Sequence, residues 1–147
     1  MRFAIVAALA LASGAYAAPD LSTAAPIAGS WTYAPTTDGS ETSFTNESGV
    51  VQLSLNCTRA TRRISISKPA QSAAPSVNLW TSAAARDLPA AFNPATGRLT
   101  LDLGAYDTLL DGMANSRGRI GVTVGSQPPL VVPAWPEIAR VIEDCRA

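Results

Sequence analysis

Two cysteines, Cys57 and Cys145, constrain this chain more than any other feature. Cys57 ends the run VQLSLNC, in which Val51, Leu53, Leu55 and Cys57 share one parity and Gln52, Ser54 and Asn56 the other. Successive side chains of a strand point to opposite faces, so Cys57 points with the aliphatic residues into a core. Cys145 lies in AWPEIARVIEDCRA. Pro136 suits a first helical turn, and Glu137 suits the positive end of the helix dipole. Trp135, Ile138, Val141, Ile142 and Cys145 then fall at helical spacing on one stripe, while Arg140, Glu143 and Asp144 occupy much of the remainder. Two independent periodicities therefore aim both sulfurs inward.

Whether the sulfurs are joined depends on the compartment. The chain opens MRFAIVAALALASGAYA, with Arg2 ahead of an apolar run that is followed by Ser13, Gly14 and the small-residue site Ala15-Tyr16-Ala17. The run is far short of the roughly 20 residues that cross a bilayer, and the pattern is that of a secretory signal peptide at 1–17. Cleavage after Ala17 is expected. The short leader with its single arginine has a bacterial character, which makes the periplasm the expected location, with secretion as the alternative. An even cysteine count in an oxidising compartment favours a disulfide. A buried Cys57–Cys145 bridge is therefore expected, the alternative being two separate buried thiols. The chain has no C-x-x-C and no histidine, so neither thiol has the neighbour that would make it reactive.

Beyond the leader, residues 18–28 are rich in Ala, Pro, Ser and Thr and read as a flexible segment. Residues 29–147 read as one domain with a single core. GSWTYAPT is a candidate first strand with Trp31 and Tyr33 on one face, and 36–49 reads as polar turn material or a loose hairpin. VQLSLNC and RRISISK, four residues apart, read as an antiparallel hairpin with Ile64 and Ile66 inward. SVNLWTS puts Val77 and Leu79 on one side and Trp80 on the other; RLTLDL and GRIGVTV alternate cleanly; LVVP is a short strand. Tyr106, Leu109, Leu110 and Met113 have helical spacing. One-sided alternation belongs to antiparallel sheets. The expected architecture is mainly β within the α+β class: a single antiparallel sandwich-like or curled sheet of about seven strands, a short helix near 105–115 and a C-terminal helix at 135–145.

Composition narrows the chemistry. Without Arg2 there are ten basic residues against eleven acidic ones, which gives no basic face for nucleic acid and no polybasic membrane patch. The absence of histidine removes the Ser-His-Asp and Cys-His arrangements and any histidine-bound metal. Ser65-Ile66-Ser67-Lys68 matches S-x-x-K, but that pattern needs a helical turn, and the flanking alternation places it on a strand with serine and lysine on opposite faces. Asp102, Asp107, Asp111, Glu143 and Asp144 are the candidates for an acid–base pair, each equally readable as surface charge. Arg59, Arg62 and Arg63 gather at one hairpin end, and Arg117 and Arg119 precede a later strand. Arginines of this kind suit anion recognition or simply guard a sheet end. With Trp80 on the polar side of its strand, Arg59, Arg62, Arg63 and Trp80 form the candidate partner surface; a second layer covering the tryptophan is the plainer alternative.

The order of elements, from a Trp-bearing first strand through VQLSLNC, RRISIS, VNLW, YDTLLDGM and GRIGVTV to WPEIARVIEDCR, resembles that of small exported bacterial proteins of unknown function with such a C-terminal segment. More distantly the layout is similar to the type VI secretion-associated VasI-like proteins, which also pair a cysteine ending a central strand with one near the carboxyl end. The resemblance implies an envelope accessory or binding role and no reaction. The expected function is thus a non-enzymatic, exported binding or accessory protein of the cell envelope, with a protein or envelope component as partner and no cofactor or metal. The alternatives are a small-ligand carrier, which needs an apolar cavity between layers, and a carboxylate-based hydrolase.

Overall fold

The structure, a computed structural model, describes residues 19–147, so the expected leader at 1–17 lies outside the described residues. Two antiparallel sheets face each other. Sheet A runs β1 (Gly29–Pro35), β2 (Gly39–Asn46), β3 (Val51–Thr58), β4 (Arg63–Pro69), β8 (Arg98–Gly104) and β7 (Ala91–Asn93) in spatial order. Sheet B runs β10 (Leu130–Pro133), β9 (Arg119–Thr123), β5 (Ser76–Trp80) and β6 (Ala85–Pro89). Helix α1 spans Thr108–Ala114 and helix α2 spans Pro136–Arg146. The fold is the antiparallel β domain with a short helix and a C-terminal helix that the alternation indicated. Among the described residues it has ten strands rather than about seven.

The additional strands are those whose buried side carries no aliphatic run. In β2 the inward parity is Ser40, Thr42 and Phe44, all fully buried, so the strand hides behind hydroxyl residues. The segment 85–93 is two short strands that bend at Pro89-Ala90 from sheet B into sheet A. This crossing closes one side of the sandwich. On the other side the Trp31 indole N–H donates to the Pro133 carbonyl at 2.7 Å, joining β1 to the edge strand of sheet B.

The core lies between the sheets and beneath α2. Leu53, Leu55, Ile64, Ile66, Leu99, Leu101 and Leu103 meet Val77, Leu79, Ile120 and Val122, as their parities require. Helix α2 packs on β1–β4 with Ile138, Val141, Ile142 and Cys145 buried. Cys57 and Cys145 are joined, with Cα atoms 5.5 Å apart, a separation inside the range a bridge spans. Two aromatics depart from the helical stripes. Trp135 is the N-cap of α2 in an extended conformation and is 40% exposed. Tyr106 precedes α1, whose N-cap is Asp107, and is 63% exposed.

Residues 19–28 lie against the domain. Leu21 is buried against Trp80 and Val131, the Ile27 N–H donates to Val131 O at 2.9 Å, and Arg119 Nη1 donates to Ala24 O. The hole that receives Leu21 exists because position 121 is glycine: a Cβ there would collide with the leucine side chain. This strap covers the part of the outer face of sheet B formed by Trp80, Gly121 and Val131.

Candidate functional site

The four residues expected to share a partner surface do not share one. Arg59, Arg62 and Arg63 do come together, at the β3–β4 turn, but each already has a hydrogen-bond partner within the chain. Arg59 Nε donates to Asp144 O at 3.3 Å, and Arg62 Nη1 donates to Arg146 O at 2.8 Å and to the Tyr106 hydroxyl at 2.9 Å. Both carbonyls belong to the last turn of α2, where the chain has unpaired acceptors and the negative end of the dipole. Arg63 pairs with Asp102 at 2.6 Å. Arg59 and Arg62 thus clamp the C-terminal helix, while Arg63 ties β4 to β8. Arg62 holds the helix from a left-handed backbone conformation, φ 50°, unusual for a residue with a side chain. Trp80 lies on the other sheet, 9% exposed beneath Leu21. The strap, rather than another layer of sheet, is what covers it.

The acidic candidates are dispersed in the same way. Asp102 pairs with Arg63, Asp107 with Arg86 at 2.7 Å and Asp111 with Arg146 at 2.8 Å. Asp107 also caps α1, its Oδ1 accepting from Leu109 N–H at 2.8 Å. Burial opposes ionisation of Asp107, but the Leu109 amide and Arg86 prevail and hold its carboxyl below the usual range. Asp144 accepts from the Tyr33 hydroxyl at 2.6 Å, and Arg140 lies 3.7 Å over the Tyr33 ring. Here too burial is outweighed, by Tyr33, the Ser40 side chain, Arg59 and Arg140, and the carboxyl is held low. Lys68 follows Ile64 and Ile66 in parity, opposite to Ser65, so the S-x-x-K residues stay apart. Desolvation, then the nearby Arg98, lowers the Lys68 amine.

What the sequence did not reveal is the outer face of sheet A. The strand registers align Thr32, Ser43, Ser54, Ser67 and Thr100 in one row across β1, β2, β3, β4 and β8. A second row holds Glu41, Asn56, Ser65 and Asp102. At a strand separation of about 4.8 Å, the first row presents a hydroxyl on each of five neighbouring strands. The side chains are cross-linked: Ser43 Oγ and Ser54 Oγ lie 3.1 Å apart, Ser43 and Asn56 donate to Glu41 at 3.2 and 3.1 Å, and Arg98 Nε donates to Ser67 Oγ at 3.1 Å. Both α2 and sheet B lie on the opposite side, and no other helix or strand among the described residues packs over this face. Its charges, Glu41, Asp102, Arg63 and Arg98, cancel. The result is a neutral surface of donors and acceptors with no long apolar side chain in either row.

No family model, no curated protein and no solved structure matches this chain.

Proposed function

We propose that this protein is an exported, non-enzymatic binding or accessory domain of the bacterial envelope, and that the outer face of sheet A engages a neutral, hydroxyl-rich envelope polymer such as a glycan strand. The row of five hydroxyl residues carries the reading. A neutral face gives no field to attract a polyanion or a polycation, whereas its donors and acceptors match those of a polyhydroxylated chain. The leader pattern and the resemblance of WPEIARVIEDCR to small exported proteins support the location.

Two features weigh against the alternatives. The space between the sheets, bounded by Leu53, Ile66, Val77, Leu99, Leu101 and Val122, leaves a void of about 10 Å³, at the lower limit for one water. That is no room for a carried ligand. Asp102, Asp107 and Asp111 are each engaged by a different arginine, an arrangement of structural ion pairs rather than of a cooperating acid and base.

Co-sedimentation with purified insoluble cell-wall glycan tests the proposal. The wild-type chain is expected in the pellet. Ser54→Arg, which sets a long charged side chain at the centre of the row and points away from the core, is expected to remain in solution with its melting temperature kept. Soluble wild-type protein, or a Ser54→Arg variant that pellets equally well, defeats the proposal.

A further inference from the structure

A cleft of about 520 Å³ opens on the outer side of sheet B, where three distant segments meet: the strap at Asp20 and Ser22, the β5–β6 turn from Trp80 through Ser82, and the loop at Arg117. The volume lies within the range of small-molecule sites, roughly 300 to 1,000 Å³. The walls are tied to one another. Ser82 N–H donates to Ser116 Oγ at 3.0 Å, and Arg117 N–H donates to Ser82 Oγ at 2.8 Å. Thr81 Oγ1 closes its own turn by accepting from Ala84 N–H at 3.1 Å.

Two opposite charges line this cleft, and neither has an ion-pair partner among the described residues. Among the described residues the ion pairs are Arg63–Asp102, Arg86–Asp107 and Arg146–Asp111; neither Asp20 nor Arg117 takes part in one, with each other or with any other group. The guanidinium of Arg117 makes no hydrogen bond within the described residues. Asp20 uses one carboxylate oxygen to accept from Ser22 N–H at 3.0 Å, which fixes its orientation. That amide and the Ser22 side chain also hold the carboxyl below its ordinary value, so it is charged at neutral pH. An anion entering the cleft gains from Arg117 and is repelled by Asp20; for a cation the reverse holds. Only a molecule bearing both signs gains from both.

We propose that this cleft binds a small zwitterion, a free amino acid or a short peptide with both termini unblocked, its ammonium at Asp20 and its carboxylate at Arg117. The wall between the two charges mixes the Trp80 edge and Ala83, Ala84 and Ala85 with the hydroxyls of Ser22, Thr81 and Ser82, so a small side chain fits there. This site is separate from the face of sheet A and does not depend on what that face binds.

Titration of the ¹⁵N-labelled protein with alanine, dialanine, N-acetyl-dialanine and dialanine amide tests the assignment. The Trp80 indole and Arg117 amide signals are expected to move with alanine, dialanine or both, and the two separate titrations show which length is preferred. Blocking either terminus is expected to weaken binding about tenfold or more, as are Asp20→Asn and Arg117→Gln in the unblocked titration. Both substitutions lie on the surface and keep the fold, which the spectrum itself reports. Ser54→Arg on the far sheet leaves the titration unchanged, so failure at one face is distinguishable from failure at the other. Equal affinity for blocked and unblocked dialanine, indifference to both cleft substitutions, or no shift with any probe overturns the proposal.

Discussion

Asp144 shows how much a single side chain carries at the top of the sandwich. It sits one position before the bridging cysteine, accepts from Tyr33, and lies on a turn of α2 whose carbonyls take Arg59 and Arg62. Its carboxyl, like that of Asp107, is held below the unfolded value. A depressed carboxylate contributes stability that is complete above the unfolded pKa and is lost as pH falls through the folded one. Stability is therefore expected to fall below about pH 4, the ordinary carboxylate range, as these groups take up protons. Asp144→Asn lowers the stability at neutral pH and flattens this acid limb. Urea midpoints measured from neutral pH down to about pH 3 check it; a variant with the wild-type slope would show that the acid limb arises elsewhere.

At the level of elements, α2 is held by one covalent bond and a ring of arginines. The bridge joins residues 88 apart, and closing so long a loop in the unfolded chain is worth roughly 4 to 5 kcal/mol. Replacing both cysteines by alanine is expected to cost about that much, and hydrogen exchange is expected to accelerate first in the last turn of α2, which beyond the bridge is held by the exposed Arg59 and Arg62 and the half-buried Arg146. Uniform acceleration across both sheets would instead mean that the helix and sheets unfold as one unit. This pairing was legible in the sequence because β3 and α2 each carry a strong period. So were β4, β8 and β9, whose inward positions are aliphatic. Strand β2 was not: Ser40 and Thr42 stand where apolar residues are looked for, facing α2, and they look like turn residues in isolation. The hydroxyl row on sheet A was hidden for a different reason. Parity places each serine outward, but alignment across strands depends on registers set by pairings such as β4 with β8, far apart in the chain.

In the molecule as a whole, the sheets are not independent layers. The bend at Pro89-Ala90 carries the chain from one to the other, and the strap ties its start to β10 at Val131. Burial of Leu21 was not legible because its seat is made by Trp80, Gly121 and Val131, three residues that only the finished sheet brings together. Gly121→Ala fills the hole from below and is expected to evict Leu21 at a cost of about 1 to 3 kcal/mol, the usual scale of overpacking. Emission from Trp80 then shifts to the red, and protease cuts within residues 19–28. An unchanged spectrum with the strap still resistant would show that the seat tolerates a methyl group. The same seat sets an order of events. Leu21 leaves the ribosome ahead of all three residues that receive it, yet it can settle only after strands β5, β9 and β10 have assembled. The earliest part of the domain to be synthesised is therefore among the last to come to rest.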